Sequence, residues 1–315
     1  DYKIKIIHIT PDNVRKFMEP MKYHIFRLAW ETDRVPPWWV WELNHSIDEV
    51  WTSGEHHKEI FLKSGVKVPI FTFPEPLDTT PITYKKFFVN TSGLEDNKQA
   101  FDGFLFYSIF EWIERKDPKS LLQAYWREFQ GEEKVGLLLK VYRESFTTEQ
   151  ALSIIKDIAN WKAELNQRHF PTVFLCTREL SREHIGRLHT TGDCFVLGHR
   201  GEGWGIPIAE AMLAGKPVIS TNLGGIHEHV PDDCIYRVGY QMTNVFNMDF
   251  APWYSKEQLW AQADMTSLRQ QMRQVFNNQK QAQGTGKRAK KWVEQSLSYA
   301  TVGEDMRRHL ELINI

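Results

Sequence analysis

Apolar residues fall in short blocks along this chain, and the blocks alternate between the two-residue period of a strand and the wider spacing of an amphipathic helix. Residues 3–9 (Lys-Ile-Lys-Ile-Ile-His-Ile) predict a first strand, closed by Thr10-Pro11-Asp12, and residues 23–29 a second, leading into Trp30-Glu31-Thr32-Asp33-Arg34. Pro36-Pro37 opens a helix through Trp38, Trp39, Trp41 and Leu43. A third strand follows over 49–53, then a helix with Ile60 and Phe61 on its apolar face and Gly65 at its end, then a fourth strand over 68–73. Residues 77–100 are polar and turn-rich, which places an interdomain linker at 81–100. Beyond it, strands are predicted at 104–108, 135–141, 172–176, 194–197, 217–220 and 235–238. Between them come a loop over 111–118, a helix over 119–128 and an amphipathic helix over 148–166 with the stripe Leu152, Ile155, Ile158 and Trp161. Ser181 caps a helix over 182–188. Helices near 256–277 and 286–295, a polar loop over 279–286 and a last helix over 301–313 complete the chain. Strand–helix alternation of this kind is the pattern of a parallel α/β sheet.

Length and composition change this picture little. The chain has 315 residues, enough for two domains with separate cores, and shows no internal repeat. Its net charge of −1 gives no basic field for nucleic acid. Cys176, Cys194 and Cys234 are odd in number and widely spaced, with no metal-ligand pattern, which fits a reduced, cytoplasmic compartment. No apolar run reaches the roughly 18 residues of a membrane span. The 12 tryptophans serve mostly as core, with peripheral membrane association or sugar stacking as the use of a minority.

The chemistry concentrates in residues 198–225. Gly201, Gly203 and Gly205 let backbone N–H groups approach a ligand, Pro207 suits a helix start, and Gly215 a helix stop. A glycine loop opening a helix after a strand is an anion site. Glu202 and Glu210 would repel a phosphate, so hydroxyl groups are their expected partners, and phosphate with hydroxyls describes a nucleotide sugar.

Glu202 and Glu210, separated by seven residues, with Arg-Gly-Glu-Gly-Trp-Gly-Ile-Pro, Ala-Gly-Lys-Pro-Val-Ile and Leu-Gly-Gly around them, resemble the signature of retaining glycosyltransferase family 4, related to glycogen and sucrose synthases. The resemblance implies an α/β fold of the GT-B type, two Rossmann-like domains facing a cleft. It divides the chain into a partial acceptor-side domain (1–80), the linker, a nucleotide-sugar-binding domain (101–298) and a helix over 299–315 returning to the first domain. Relatives carry about twice as many residues before the 48–53 strand, so the N-terminal domain reads as truncated or reduced. By the same resemblance Glu210 binds the ribose hydroxyls, Glu202 meets the donor sugar near the reaction centre, and the amides of Gly203, Trp204 and Gly205 hold that sugar, with Gly201 in the same loop and Ile206 facing the phosphate. Lys116 falls on the diphosphate-binding lysine position, whereas the usual arginine position carries Glu111; Arg115 is the candidate substitute. Thr177, Arg178 and Leu180 match the loop that holds the base.

Apart from the resemblance, ligands of open α/β sheets sit at the carboxyl ends of the strands, which makes Lys116 and Lys140 candidates to offset a diphosphate, or else ordinary solvated lysines. Glu210 is alternatively a first-turn helix residue, and the glycines an ordinary tight turn. Glu31 and Asp33 are acceptor-side candidates on a loop that is otherwise a surface turn. His8 reads as a core histidine, and His56-His57 and the rest of the chain lack metal-ligand spacing or an Asp-x-Asp clamp, so neither a metal nor another cofactor is expected. The expected activity is transfer of a sugar from a UDP- or GDP-sugar to a hydroxyl of a glycan, lipid-linked or protein-linked acceptor, by a front-face, metal-independent route. A nucleotide-sugar 2-epimerase of the same fold and a non-catalytic nucleotide-sugar-binding module are the alternatives.

Overall fold

The computed structural model describes residues 2–80, 85–90, 93–95 and 101–313. Two parallel sheets with helices packed on them dominate it. The first holds β1 (Ile4–Ile7), β2 (Tyr23–Arg27), β3 (Glu49–Thr52) and β4 (Ile70–Thr72) in the order β1-β2-β3-β4, all parallel. Between these strands lie α1 (Pro37–Ser46) and α2 (Glu55–Ser64). Pro37 suits the start of α1, and Gly65, left-handed at φ 104°, ends α2. Trp39 and Leu43 of α1 and Ile60 and Phe61 of α2 enter the core with Phe26 and Val50, while Trp38 and Trp41 stay at the surface. Of the linker segment, residues 81–84, 91, 92 and 96–100 lie outside the described residues; β5 (Phe88–Asn90) and β6 (Gly93–Glu95) pair antiparallel within it.

The second sheet has six strands: β7 (Phe104–Glu111), β8 (Val135–Tyr142), β9 (Thr172–Cys176), β10 (Cys194–Leu197), β11 (Val218–Thr221) and β12 (Tyr236–Val238). Their order is β12-β11-β10-β7-β8-β9, parallel throughout. This is the doubly wound arrangement: the chain winds outward one way from β7 and then returns to β10 to wind the other way. The helices are α3 (Pro118–Glu128), α4 (Thr148–Ala163), α5 (Arg182–Thr191), α6 (Ile206–Leu213) and α7 (Gly225–His229). A hairpin, β13 (Tyr240–Asn244) with β14 (Leu259–Ala263), precedes α8 (Met265–Asn277), α9 (Gln279–Ser296) and α10 (Tyr299–Leu312).

Four local expectations differ from the structure. Residues 259–263 are strand rather than helix, because β13 supplies a pairing partner that a local reading does not weigh. Residues 279–286 are helical: α9 runs through Gly284 and Gly286, and a Cβ on Gly286 would lie 2.2 Å from the carbonyl oxygen of Gly215, so close packing explains that glycine. In α4 the buried position is Ile154, with Leu152 and Ile155 exposed, since only a narrow face of this helix is covered. The segment 111–118 is a continuation of β7 followed by a 3-10 turn over Glu114–Lys116 and the start of α3.

The two sheets are joined at several points. Trp253 and Tyr254, in the long tip of the β13–β14 hairpin, pack against the first core, with Tyr254 stacked on Trp30 at 5.2 Å. The Asp33 N–H donates to the Leu259 carbonyl at 2.9 Å, and the Leu259 N–H donates to the Asp33 carboxylate at 2.6 Å. Helix α10 lays Met306 and Leu310, and the residue after it, Ile313, against Ile25, Trp51 and Phe73, while His309 meets Glu49 at 2.9 Å.

Candidate active site

The switch point of the second sheet lies between β7 and β10, where the loops after adjacent strands turn in opposite directions and leave a crevice. A cavity of about 370 Å³ opens there. Glu111 enters it from the end of β7 and Arg115 and Lys116 after it, Lys140 and Tyr142 from the end of β8, Leu180 and Ile185 after β9, and Pro207 from α6. Phe146, Ile109 and Phe110 complete an apolar wall. The cavity thus pairs apolar surface with three cations and the Glu111 carboxylate.

Those cations are not solvated. Lys116 and Lys140 are 8% and 4% exposed, which removes the surface-lysine alternative. The Lys140 ammonium sits 4.6 Å from the Phe146 ring centre, and burial lowers its pKa. Burial likewise lowers that of Lys116, although the ammonium pairs with the Glu202 carboxylate. Burial pushes Glu202 up, but Lys116, Arg115 and His199 together bring it below the ordinary carboxylate range, so Glu202 is anionic at neutral pH. Arg115 donates to the Gly201 carbonyl at 3.0 Å and lies 3.4 Å from Glu31; burial opposes its charge, and the carboxylates of Glu31, Glu202 and Glu111, with Tyr254, outweigh it.

The glycine loop is held from both sides. Gly205, left-handed at φ 102°, caps α6, with Ile206 half exposed beside it. The carbonyls of Gly203 and Trp204 accept from Gly225 and Ile226, which tie the loop to α7. A Cβ on Gly201 would meet Glu31 at 2.8 Å, so the loop after β2 reaches the glycine loop directly. Glu31 also accepts a hydrogen bond from the Tyr254 hydroxyl at 3.0 Å. Asp33 does not join it: its carboxylate faces Leu259 and Arg34, in the junction between the sheets.

Glu210 stands on the second turn of α6, one turn beyond Pro207, and does not itself line the cavity. Its place in the helix is too deep for a first-turn capping role. The carboxylate lies 3.6 Å from His189, whose other ring nitrogen meets the buried Tyr107 hydroxyl at 2.9 Å. Leu180 lines the cavity, whereas Thr177 and Arg178 lie in the same loop without lining it.

Sequence reasoning passed over Arg200, which locks the two halves of the site together. It pairs with Asp117 at 2.8 Å and Glu114 at 2.9 Å, donates to Gln262 at 2.9 Å, and stacks on Phe246 and Trp260. Its own N–H donates to the Arg115 carbonyl at 2.8 Å, so the turn carrying Arg115 and Lys116 is fastened to the glycine loop. The only signal was its place in the Arg-Gly-Glu-Gly-Trp-Gly run. Also missed was His199, fully buried, with no hydrogen-bond partner for either ring nitrogen among the described residues. Among the described residues no group of three or more His, Cys, Asp or Glu is arranged to hold a metal ion, and no helix is long and apolar enough to cross a membrane.

Residues 110–235 match the family model described as glycosyl transferases group 1. Over nearly its whole length the chain superposes on several solved structures. A UDP-forming α,α-trehalose-phosphate synthase from Burkholderia xenovorans gives a TM-score of 0.69 at 12% identity, covering 98% of this chain and 74% of that one. A sucrose-phosphate synthase from Thermosynechococcus elongatus gives 0.67 at 14% identity, covering 98% and 73%. Anabaena HepE in complex with UDP-glucose gives 0.64 at 14% identity, covering 98% and 79%. The fold is GT-B. In this GT-B chain the matched span contains every lining residue of the cavity except Ile109. The chain is also 33% identical to the sulfoquinovosyl transferase SQD2 of Arabidopsis thaliana over 70 residues, which is 22% of this chain and 13% of that protein. It therefore spans about an eighth of the length of that curated relative.

Proposed function

We propose that this chain is a retaining, metal-independent glycosyltransferase that moves a hexose from a nucleoside-diphosphate sugar, with UDP as the favoured nucleotide, to a hydroxyl acceptor. The observation that carries this reading is the cavity at the switch point, where buried Lys116 and Lys140 and the partly buried Arg115 share an enclosure with apolar walls beside a glycine loop and a helix start. Lys116 and Arg115 are paired with Glu202 and Glu31, and Lys140 has no carboxylate partner among the described residues. A diphosphate would take over Lys116 from Glu202 and neutralise Lys140, while its base would lie against the apolar wall. Structural relatives carry UDP or UDP-glucose in their complexes, which favours uridine.

In the proposed reaction the bond between the anomeric carbon and the diphosphate oxygen breaks. The acceptor oxygen bonds that carbon from the same face, and its proton passes to the departing phosphate. The protein's share is positioning and charge stabilisation. Lys116 exchanges Glu202 for phosphate oxygens, which frees the carboxylate for sugar hydroxyls. Glu210 takes the ribose hydroxyls, and Glu31, across the glycine loop, is the acceptor-side carboxylate. Chain cations thereby take the part that a divalent metal plays elsewhere.

A thermal-shift screen of UDP-, GDP-, ADP- and dTDP-sugars tests the reading. A UDP-sugar should raise the melting temperature, and Glu210→Ala should reduce that rise by the loss of charge-assisted bonds of about 1.5–3 kcal/mol. No stabilisation by any donor, with or without EDTA, would overturn it.

A further inference from the structure

Residues 109–119 form a partition with a cavity on each side. Glu111, Arg115 and Lys116 face the donor cavity, and Trp112, Glu114 and Lys119 face a second one of about 260 Å³. This second cavity also lies where loops leave the carboxyl ends of β7 and β8, the edge at which open α/β sheets hold ligands. The tip of the β13–β14 hairpin, through Asn247 and Phe250, closes its far side.

Its chemistry is unlike that of the donor cavity. Charges of both signs line it: Arg143 and Lys119 face Glu114, Glu144 and Asp157, so it selects for neither an anion nor a cation. Asp157 accepts from the Trp112 indole at 3.0 Å and pairs with Arg143, which fixes planar polar groups in place. Trp112 and Trp161 are stacked, 10° from parallel with centres 5.4 Å apart, and Phe250, 61% exposed, stands at the rim. Glu144 is held left-handed at φ 53°, an uncommon conformation for a residue with a side chain, and such outliers gather at binding sites. Trp112 is itself buried between Phe110 and Trp161, so the flat surface left to a ligand is that of Trp161 and Phe250. Such surface beside carboxylates, amide and guanidinium is what a neutral polyhydroxylated ring requires: the rings cover its C–H face, and the polar groups give and accept hydrogen bonds to its hydroxyls.

We propose that the second cavity is a saccharide subsite that holds a non-reacting hexose unit of a glycan acceptor. The assignment of that unit to an acceptor rests on the glycosyltransferase reading; the recognition of a saccharide rests on the cavity alone. Phe250 and Glu144 are its specificity-bearing contacts and lie outside the donor site.

Saturation-transfer NMR on the full chain tests this, with methyl α- and β-glucopyranoside, mannopyranoside and galactopyranoside as probes and UDP as the donor-site probe. At least one glycoside should give transfer that saturating UDP leaves intact. Phe250→Ala and Glu144→Ala should each weaken it about fivefold or more, the loss of one ring or hydrogen-bond contact, with UDP affinity unchanged. Phe250 and Glu144 are exposed, so these variants fold. Absence of glycoside transfer while UDP binds would overturn the subsite and leave the donor reading standing. Loss of transfer on adding UDP would also overturn it by placing the sugar in the donor cavity. Glycoside transfer in a chain that binds no nucleotide would sustain a saccharide site and overturn the donor reading instead.

Discussion

Glu202 and Lys116 hold each other in a space that water barely reaches, with side chains 11% exposed each. Removing one partner strands the other charge, whereas removing both does not. Lys116→Ala should therefore cost about 3–5 kcal/mol in urea unfolding, and Lys116→Ala combined with Glu202→Ala clearly less. Equal stability of the two variants would show that Glu202 does not depend on this ammonium. Buried histidines make a second prediction at this scale. Burial holds His57 and His199 down to about 3. In the unfolded chain each binds a proton near its ordinary 6.5, and in the fold only near 3, so the unfolded state holds more protons between these values. Stability is unaffected by them above that window and falls as pH drops through it. Each should cost about 2 kcal/mol between pH 7 and pH 5. His57→Asn should flatten the pH dependence of the urea midpoint, and an unchanged slope would remove His57 from the account. Little of this was legible: Lys116 and Glu202 were found by motif, but their contact joins positions 86 apart in sequence, and His199 carries no local mark of its burial.

Elements with strong local periodicity were readable and those made by distant partners were not. Strands β8, β9 and β10 are near-continuous apolar runs because helices cover both faces of their sheet, and such runs show in any local window. Helix α9 shows the opposite. Its first two turns carry Gly284 and Gly286 among glutamines, a composition that favours a turn. Packing overrides propensity at Gly286, which meets the backbone of residues 215–217, while Gly284 is open, with its nearest neighbour the Arg288 side chain at 3.6 Å. Gly286→Ala should thus lose about 1–3 kcal/mol through steric overlap, and Gly284→Ala should gain roughly 0.5–1 kcal/mol from helix propensity. Thermal unfolding of the two variants checks this, and equal shifts would argue against a helix packed here. Helix α2 has a comparable long-range dependence: its His56 N–H donates to Glu228 of α7 at 2.6 Å, so an orphan donor at its N-terminus is satisfied from the other sheet.

At the scale of the whole molecule, the hairpin tip over 245–258 fastens the second sheet's domain to the first. Trp253 faces Trp39 at 6.2 Å, Tyr254 stacks on Trp30, and Gln258 donates to the Arg34 carbonyl at 3.1 Å. This fastening sets Glu31 against Arg115 and the glycine loop. Trp253→Ala should lower overall stability by about 2 kcal/mol from lost apolar burial and increase the radius of gyration in small-angle scattering as the two halves separate. An unchanged radius would mean that α10 and the Glu228 contact suffice to hold them. The sequence by itself determined the α/β class, most strands, and the glycine loop with its two glutamates, because strand periodicity, proline and glycine positions and a contiguous motif are local properties. Tertiary structure alone decided that Lys116, Lys140 and Arg115 converge on one cavity, that Arg200 ties their turn to the glycine loop, that Asp33 joins the sheets rather than the site, and that Glu111 shares the cationic enclosure. Those outcomes depend on the order in which strands pair and on a hairpin that reaches across the molecule. No local window contains either.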